Sequence, residues 1–281
     1  PQSIDAASVS DPVLIRGDGQ LLYTLASVTD DMDMGITHVV RGLDHVTNTA
    51  TQIQITRALG SEPPAYAHHS LLTGPQGEAL SKRLGTLALR DLRERGVEPM
   101  ALVSLMARIG SGQPVEVVDS LDALVAEFDL GRFGAAPTKF DPEDLRALTA
   151  RAVHAKPFAA VAPMLGDIGV PEDRREAFWA AVSENLDTMA DAETWWRLCR
   201  DGADPLIDAE DEAFVAQALA MLPERPWTEE TWGAWTQDVK AKTGRKGRAL
   251  FRPLRRALTG RDDGPDMSRL LPLLQTIKAL E

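Results

Sequence analysis

At 281 residues, with 44% hydrophobic and 26% charged side chains, the chain is long enough for two or three cores and has an ordinary globular composition. No apolar run reaches the roughly 18 residues of a membrane span, and a single cysteine, Cys199, with five histidines excludes a disulfide scaffold and a conventional structural zinc site. A reducing, cytoplasmic setting is expected, and the net charge of -12 argues against a nucleic-acid partner unless basic residues are gathered in one place.

The first 75 residues alternate between two periodicities. "PVLIR" (12 to 16) reads as a short strand followed by a Gly17-Asp18-Gly19 turn, and "YTLASVTDDMDMG" as a helix stopped by Gly35. "THVVRG" (37 to 42) predicts a second strand, "HVTNTATQIQITRALG" (45 to 60) a helix ending on Gly60, and "AYAHHSLL" (65 to 72) a third strand. Strand, helix, strand, helix, strand predicts a parallel α/β sheet, whose ligands gather at the carboxyl ends of the strands. Arg41 and Asp44 stand at such an end.

From about residue 87 the pattern becomes helical. "TLALRDLRERG", "MALVSLMARIG", "SLDALVAEF" and "DPEDLRALTARAV" place apolar residues three and four apart, and no later segment reads as a convincing strand. The fold class is therefore α/β followed by all-α. Residues 240 to 261, "KAKTGRKGRALFRPLRRALTGR", carry nine basic side chains and no acidic one. Such a patch on an acidic body can dock a polyanion in a defined geometry, although solvated helix faces would share the composition.

Between these parts lies "GEALSKRLG" (77 to 85), with Ser81, Lys82 and Arg83 bounded by glycines. A lysine on such a loop can reach phosphate oxygens as a point charge, while Ser81 and backbone N–H groups supply directional bonds. A lone Ser-Lys-Arg triplet is a weak signal.

The surrounding sequence strengthens it. The run from "DPVLIRGDGQLLYTLASVTDDMDMG" through "ITHVVRGLDHVTNTATQIQITRALG" to "ALSKRLG" closely resembles the second half of the catalytic domain of bacterial glutamyl-tRNA synthetases, a class I family. "ALSKR" sits at that family's KMSKS-type loop, and "FDPEDLRALTAR" (140 to 151) and "KGRALFRPLRRALTGRDDGP" (246 to 265) resemble its helical anticodon-binding region. The resemblance implies the second half of a Rossmann-type catalytic domain over 1–75 and a KMSKS-type loop with a stem-contact region over 76–135. It implies two helical anticodon-binding subdomains over 136–205 and 206–281.

By the same resemblance, Tyr23, Ser27 and Arg41 would hold glutamate, with Ser27 standing where many relatives have Asn. A guanidinium fork and hydroxyl donors suit a dicarboxylic substrate. Lys82, Asp44 and His45 would meet the nucleotide, with a capping or packing role for His45 as the alternative. Ser81, Lys82 and Arg83 would act in catalysis, and Lys246, Arg248, Arg252, Arg255 and Arg256 would contact tRNA. ATP enters as substrate with Mg2+, and no protein-bound zinc is expected. The implied partners are tRNA(Glu), glutamate and ATP, with no membrane.

Ala79 replaces the family's common first loop lysine, and Leu43 a frequent Glu. No HIGH-type tetrapeptide occurs in the chain. The expectation is thus a C-terminal portion, inactive alone, whose exposed sheet face is covered by the missing N-terminal half or by self-association. The alternative is a non-catalytic tRNA-binding module. A glutaminyl enzyme fits less well, since its anticodon-binding part is built of β-barrels, and proteins that glutamylate a modified base lack the long helical region.

Trp195, Trp196, Trp227, Trp232 and Trp235, at helical spacing, read as core anchors before base-stacking groups. Asp30, Asp31 and Asp33 read as a solvated or capping cluster, and Cys199 as a small buried apolar residue.

Overall fold

The computed structural model describes residues 4–5, 11–78 and 88–280. The chain divides into two compact units, one of Pro1–Gly85 with Ser104–Pro142 and the other of Thr86–Val103 with Glu143–Glu281.

In the first unit, strand β1 (His38–Gly42) pairs in parallel with β2 (Ala65–His69), setting Arg41 beside His68 and Gly42 beside His69. Helix α2 (Val46–Ala58) makes the crossover that parallel pairing requires, and helix α1 (Tyr23–Asp33) packs against it. The predicted first strand is reduced to one antiparallel bridge, Ile15 to Leu21, closed around Gly19 at φ 85. Its residues are mostly exposed and Pro12 has no N–H to donate, so nothing extends the ladder.

The predicted strand 65 to 72 is two. Beyond His69 the backbone leaves the first sheet, and β3 (Leu72–Thr73) pairs in parallel with β4 (Thr138–Lys139). Ser70 Oγ lies 2.9 Å from Thr138 Oγ1, a polar tie between segments far apart in sequence. The β4 strand was not legible because two residues carry no alternation. Helix α4 (Pro99–Arg108) is fixed by Arg108, which donates to Glu116 O at 2.8 Å and to Glu127 at 2.6 Å on helix α5 (Leu121–Glu127).

The first unit is thinly cored. Val28, Ile55, Leu105, Leu124 and Phe140 are buried, whereas Val13, Ile15, Met34, Val40, Met106, Val125 and Phe128 are exposed. Val40, Leu71, Met106, Phe128, Leu130 and Phe133 help line an apolar hollow of about 320 Å3.

The second unit is all helix among its described residues. Helices α6 (Pro142–His154), α7 (Phe158–Asp167), α8 (Arg175–Val182), α9 (Asp191–Asp201), α10 (Glu212–Leu219), α11 (Glu229–Thr243), α12 (Arg248–Thr259) and α13 (Met267–Leu270) follow the short α3 (Leu89–Glu94). One core runs through them, anchored on Phe178, Trp179, Trp195, Trp196, Trp235 and the leucines of α12 and α13. Trp227 and Trp232 pack partly buried against it, so the core reading of the tryptophans holds. Trp235 Nε1 donates to Ala218 O at 2.9 Å, satisfying the one polar atom that burial would strand.

Candidate functional site

The first sheet's carboxyl end carries a polar cluster. Arg41, third of the four residues after His38, projects from β1 toward α2, where Thr49 and Gln52 stand one turn apart on the same face. Its Nη2 donates to Thr49 Oγ1 at 2.7 Å and to Gln52 Oε1, and its guanidinium carbon lies 5.3 Å from the centre of the Tyr66 ring. Gln52, 1% exposed, donates in turn to Ser27 Oγ at 2.7 Å on α1. Thr49 Oγ1 also donates to His45 O at 3.1 Å and lies 2.8 Å from His68 Nε2. The Nε of Arg41 is buried without an acceptor among the described residues.

This cluster is charged by one fixed cation. Burial first, and then the charge of Arg41 with His45 and His69, hold the His68 imidazole below its ordinary value. Burial pushes the Tyr66 hydroxyl up, partly offset by Arg41.

Tyr23, exposed at the start of α1, meets His45 edge-on with ring centres 6.1 Å apart. His45 closes the 3-10 turn Leu43–His45 that leads into α2, and its Nε2 lies 3.9 Å from Asp44 Oδ2. A Cβ at Gly42 would come within 2.4 Å of Asp44 Oδ1 and 3.0 Å of Leu71, so glycine lets the acidic side chain fold back over the strand end. Tyr23, Ser27, Arg41, Asp44 and His45 are thus brought to one end of one sheet. Ser81, Lys82 and Arg83 lie outside the described residues.

Sequence reading missed Thr49, Gln52 and His68. The available signal was the polarity of "VTNTATQIQITRA": Thr49, Gln52 and Thr56 recur at helical spacing on the buried face where leucines would otherwise stand. A helix that buries polar side chains needs partners for them.

In the second unit, the basic segment is more neutralised than its sequence implies. Arg256, 7% exposed, donates to both carboxylate oxygens of Asp208 and lies 3.7 Å from Asp262. The pairing holds the Asp208 carboxyl below its ordinary value. Arg252 donates to Asp262 at 2.7 Å, with the same effect on that carboxyl. Arg245 pairs with Asp211, stacks over Phe214 at 4.0 Å, and lies 3.4 Å from Ala249 O, the carbonyl that Pro253 inside α12 leaves without its helical donor. Expected phosphate contact by Arg256 does not fit its burial. Lys246 and Arg248 are exposed, and half-buried Arg255 donates to Pro265 O at 3.0 Å.

Among the described residues no group of three or more His, Cys, Asp or Glu could hold a metal ion, and no helix is long and apolar enough to cross a membrane.

A parallel half-sheet with an arginine-centred cluster at its carboxyl end, followed by a helical unit with a basic helix, places the chain in the α/β-then-all-α class. The family described as "tRNA synthetases class I (E and Q), catalytic domain" matches residues 3–146, and "Anticodon binding domain" matches residues 203–281. The chain belongs to the class I tRNA synthetases for glutamate and glutamine. It is 67% identical over 277 residues to glutamate–tRNA ligase 2 of Ruegeria sp., covering 99% of this chain and 63% of that protein. It is 66% identical over 277 residues to glutamate–tRNA ligase 1 of Ruegeria pomeroyi, covering 99% of this chain and 62% of that protein. The chain therefore spans less than two thirds of the curated relatives it matches. A crystal structure of a glutamate tRNA ligase from Elizabethkingia meningosepticum has the same fold, with a TM-score of 0.78, 22% identity, and coverage of 96% of this chain and 61% of that one.

Proposed function

We propose that this chain is the larger part of a glutamate–tRNA ligase, which activates glutamate with ATP and passes the acyl group to the 3′ end of tRNA(Glu). The observation that supports this reading is Arg41: a guanidinium held by Thr49 and Gln52, with a buried Nε–H that has no acceptor among the described residues. A carboxylate is the natural acceptor for such a group. Tyr23 at the rim and Ser27 behind Gln52 supply hydroxyl donors, and the fixed positive charge favours an acidic amino acid over its amide.

In the first step a carboxylate oxygen of glutamate forms a bond to the α-phosphorus of ATP as the bond to pyrophosphate breaks. Lys82, with Ser81 and Arg83 beside it, stabilises the charge that builds on the phosphates, and Asp44 and His45 border the nucleotide. Mg2+ comes with ATP. In the second step the terminal ribose hydroxyl of tRNA takes the acyl group and AMP leaves. The helical unit holds the anticodon arm, with Lys246 and Arg248 as phosphate contacts and Arg256 as a structural ion-pair partner.

The chain contains no HIGH-type tetrapeptide, so on this reading it has little or no activation activity by itself. The test is ATP–pyrophosphate exchange by the chain alone and by the chain joined to the remaining part of the Ruegeria relative. Glutamate-dependent exchange in the joined protein that is lost in Arg41→Gln supports the proposal. Exchange driven by glutamine, or unaffected by Arg41→Gln, contradicts it.

A further inference from the structure

Arg41 and His68 stand opposite each other in the register of β1 and β2, so strand alternation turns both side chains to the same face of the sheet, the one that α2 covers. There they meet a single oxygen. Thr49 Oγ1, on a residue only 8% exposed, lies 2.7 Å from Arg41 Nη2, 2.8 Å from His68 Nε2 and 3.1 Å from His45 O.

A hydroxyl has one proton to give and two lone pairs that receive. The guanidinium can only donate and the His45 carbonyl can only accept, so Arg41 takes one lone pair of Thr49 and the hydroxyl proton goes to His45 O. What remains for His68 is the second lone pair, and that contact requires a proton on Nε2. With the Thr49 proton spent on His68 instead, two oxygens would face each other at 3.1 Å with no hydrogen between them. The neutral ring is therefore the Nε2–H tautomer. Its Nδ1 has no hydrogen-bond partner among the described residues, and the ring borders a hollow of about 560 Å3 from which water can reach that acceptor.

Nη2 of Arg41 spends both of its N–H groups, one on Thr49 and one on Gln52. Each acceptor is itself held, Gln52 by its bond to Ser27, and Thr49 by His45 O and by His68. We propose that His68 is a positioning residue for the glutamate site: as the Nε2–H tautomer it donates to Thr49, and the Thr49 oxygen so fixed aims Arg41. Once the hydroxyl has accepted twice and donated once, it cannot turn its lone pair away from the guanidinium without breaking a bond. This rests on the reading of Arg41 as the partner of the glutamate carboxylate, and it adds a residue that acts on that partner through Thr49.

Two measurements test it. In the 15N-labelled 281-residue chain at a pH of about 8, where an imidazole is neutral, long-range proton–nitrogen correlation of the ring signals missing from His68→Gln should show the proton on Nε2. A proton on Nδ1 overturns the assignment. In the chain joined to the remaining part of the Ruegeria relative, His68→Leu is expected to raise the KM for glutamate in ATP–pyrophosphate exchange roughly 2- to 13-fold, the worth of one net hydrogen bond, with kcat nearly unchanged. His68→Gln, whose amide N–H can stand where the ring N–H stood, should restore the KM. Added to Thr49→Val, His68→Leu should cost nothing further, because the residue it acts through is gone. An unaltered KM in His68→Leu, failure of His68→Gln to restore it, or a full additional loss on top of Thr49→Val overturns the positioning role. Exchange that is unaffected by Arg41→Gln overturns the glutamate reading beneath it, and the tautomer measurement still decides the proton assignment.

Discussion

Nη2 of Arg41 donates to Oγ1 of Thr49 at 2.7 Å, which ties the carboxyl end of β1 to the first turns of α2. The same guanidinium reaches Gln52, and Gln52 reaches Ser27, so one charged side chain joins a strand and two helices. The fold of the small sheet and the chemistry of its open end depend on the same contacts.

Gln52 is the buried hinge of that arrangement. Gln52→Leu removes the acceptor for Arg41 and the donor to Ser27, leaving buried polar groups unsatisfied. The expected loss is about 1–3 kcal/mol, read as a lower urea midpoint at constant m-value. In the chain joined to the remainder of its relative, the same variant is expected to raise the KM for glutamate more than it lowers kcat, because Arg41 is left charged but poorly aimed.

His68 gives the first unit an acid sensitivity. Its folded value lies below 6.5 because of burial and the neighbouring cations, so the unfolded chain binds the proton first as pH falls. The stability from neutral His68 is complete above about 6.5 and is lost progressively as pH falls from there through the lower folded value. Urea titrations between neutral and mildly acid pH should show this slope, and His68→Gln should flatten it.

Cys199 is buried in α9 among the core residues, and burial pushes its thiol up to about 12. A thiol in that state presents almost no thiolate at neutral pH. Alkylation by iodoacetamide is expected to be slow in the native chain and to accelerate only in denaturant, in step with the loss of helical circular dichroism. Rapid native labelling would place the residue at the surface.

Trp196 and Gly264 test the helical core. Trp196, 2% exposed, meets Phe178 edge-on at 5.5 Å, and Trp196→Ala should cost about 3–5 kcal/mol. Gly264 adopts φ 128, and a Cβ there would come within 2.4 Å of the Trp195 ring, so Gly264→Ala is expected to destabilise by more than about 1 kcal/mol. Thermal or chemical denaturation reads both.

Much of this organisation could be read from the residues. The strands at 38–42 and 65–69, the helices between and after them, and the inward-facing tryptophans follow from periodicity and from Gly35 and Gly60 as stops. The resemblance points to Tyr23, Ser27, Arg41, Asp44 and His45, and chain topology brings them to one end of one sheet. What stayed hidden depends on contacts between distant segments. Thr49, Gln52 and His68 look like ordinary polar residues until the crossover folds α2 over β1. The nine basic residues of 240–261 look uniformly free, yet Asp208, Asp211 and Asp262 neutralise Arg256, Arg245 and Arg252 from outside that segment or at its edge. A two-residue strand such as Thr138–Lys139 carries no pattern to read.

The most direct measurement is binding of tRNA(Glu) to the purified chain across a salt series, run beside glutamate-dependent ATP–pyrophosphate exchange. The account predicts binding whose logarithm falls linearly with the logarithm of salt concentration, a slope that decreases by about one in Lys246→Ala, and no exchange by the chain alone. Failure to bind any tRNA, or binding indifferent to salt and to Lys246, would contradict the assignment of the helical unit; exchange by the chain alone would contradict the claim that activation needs more than these residues.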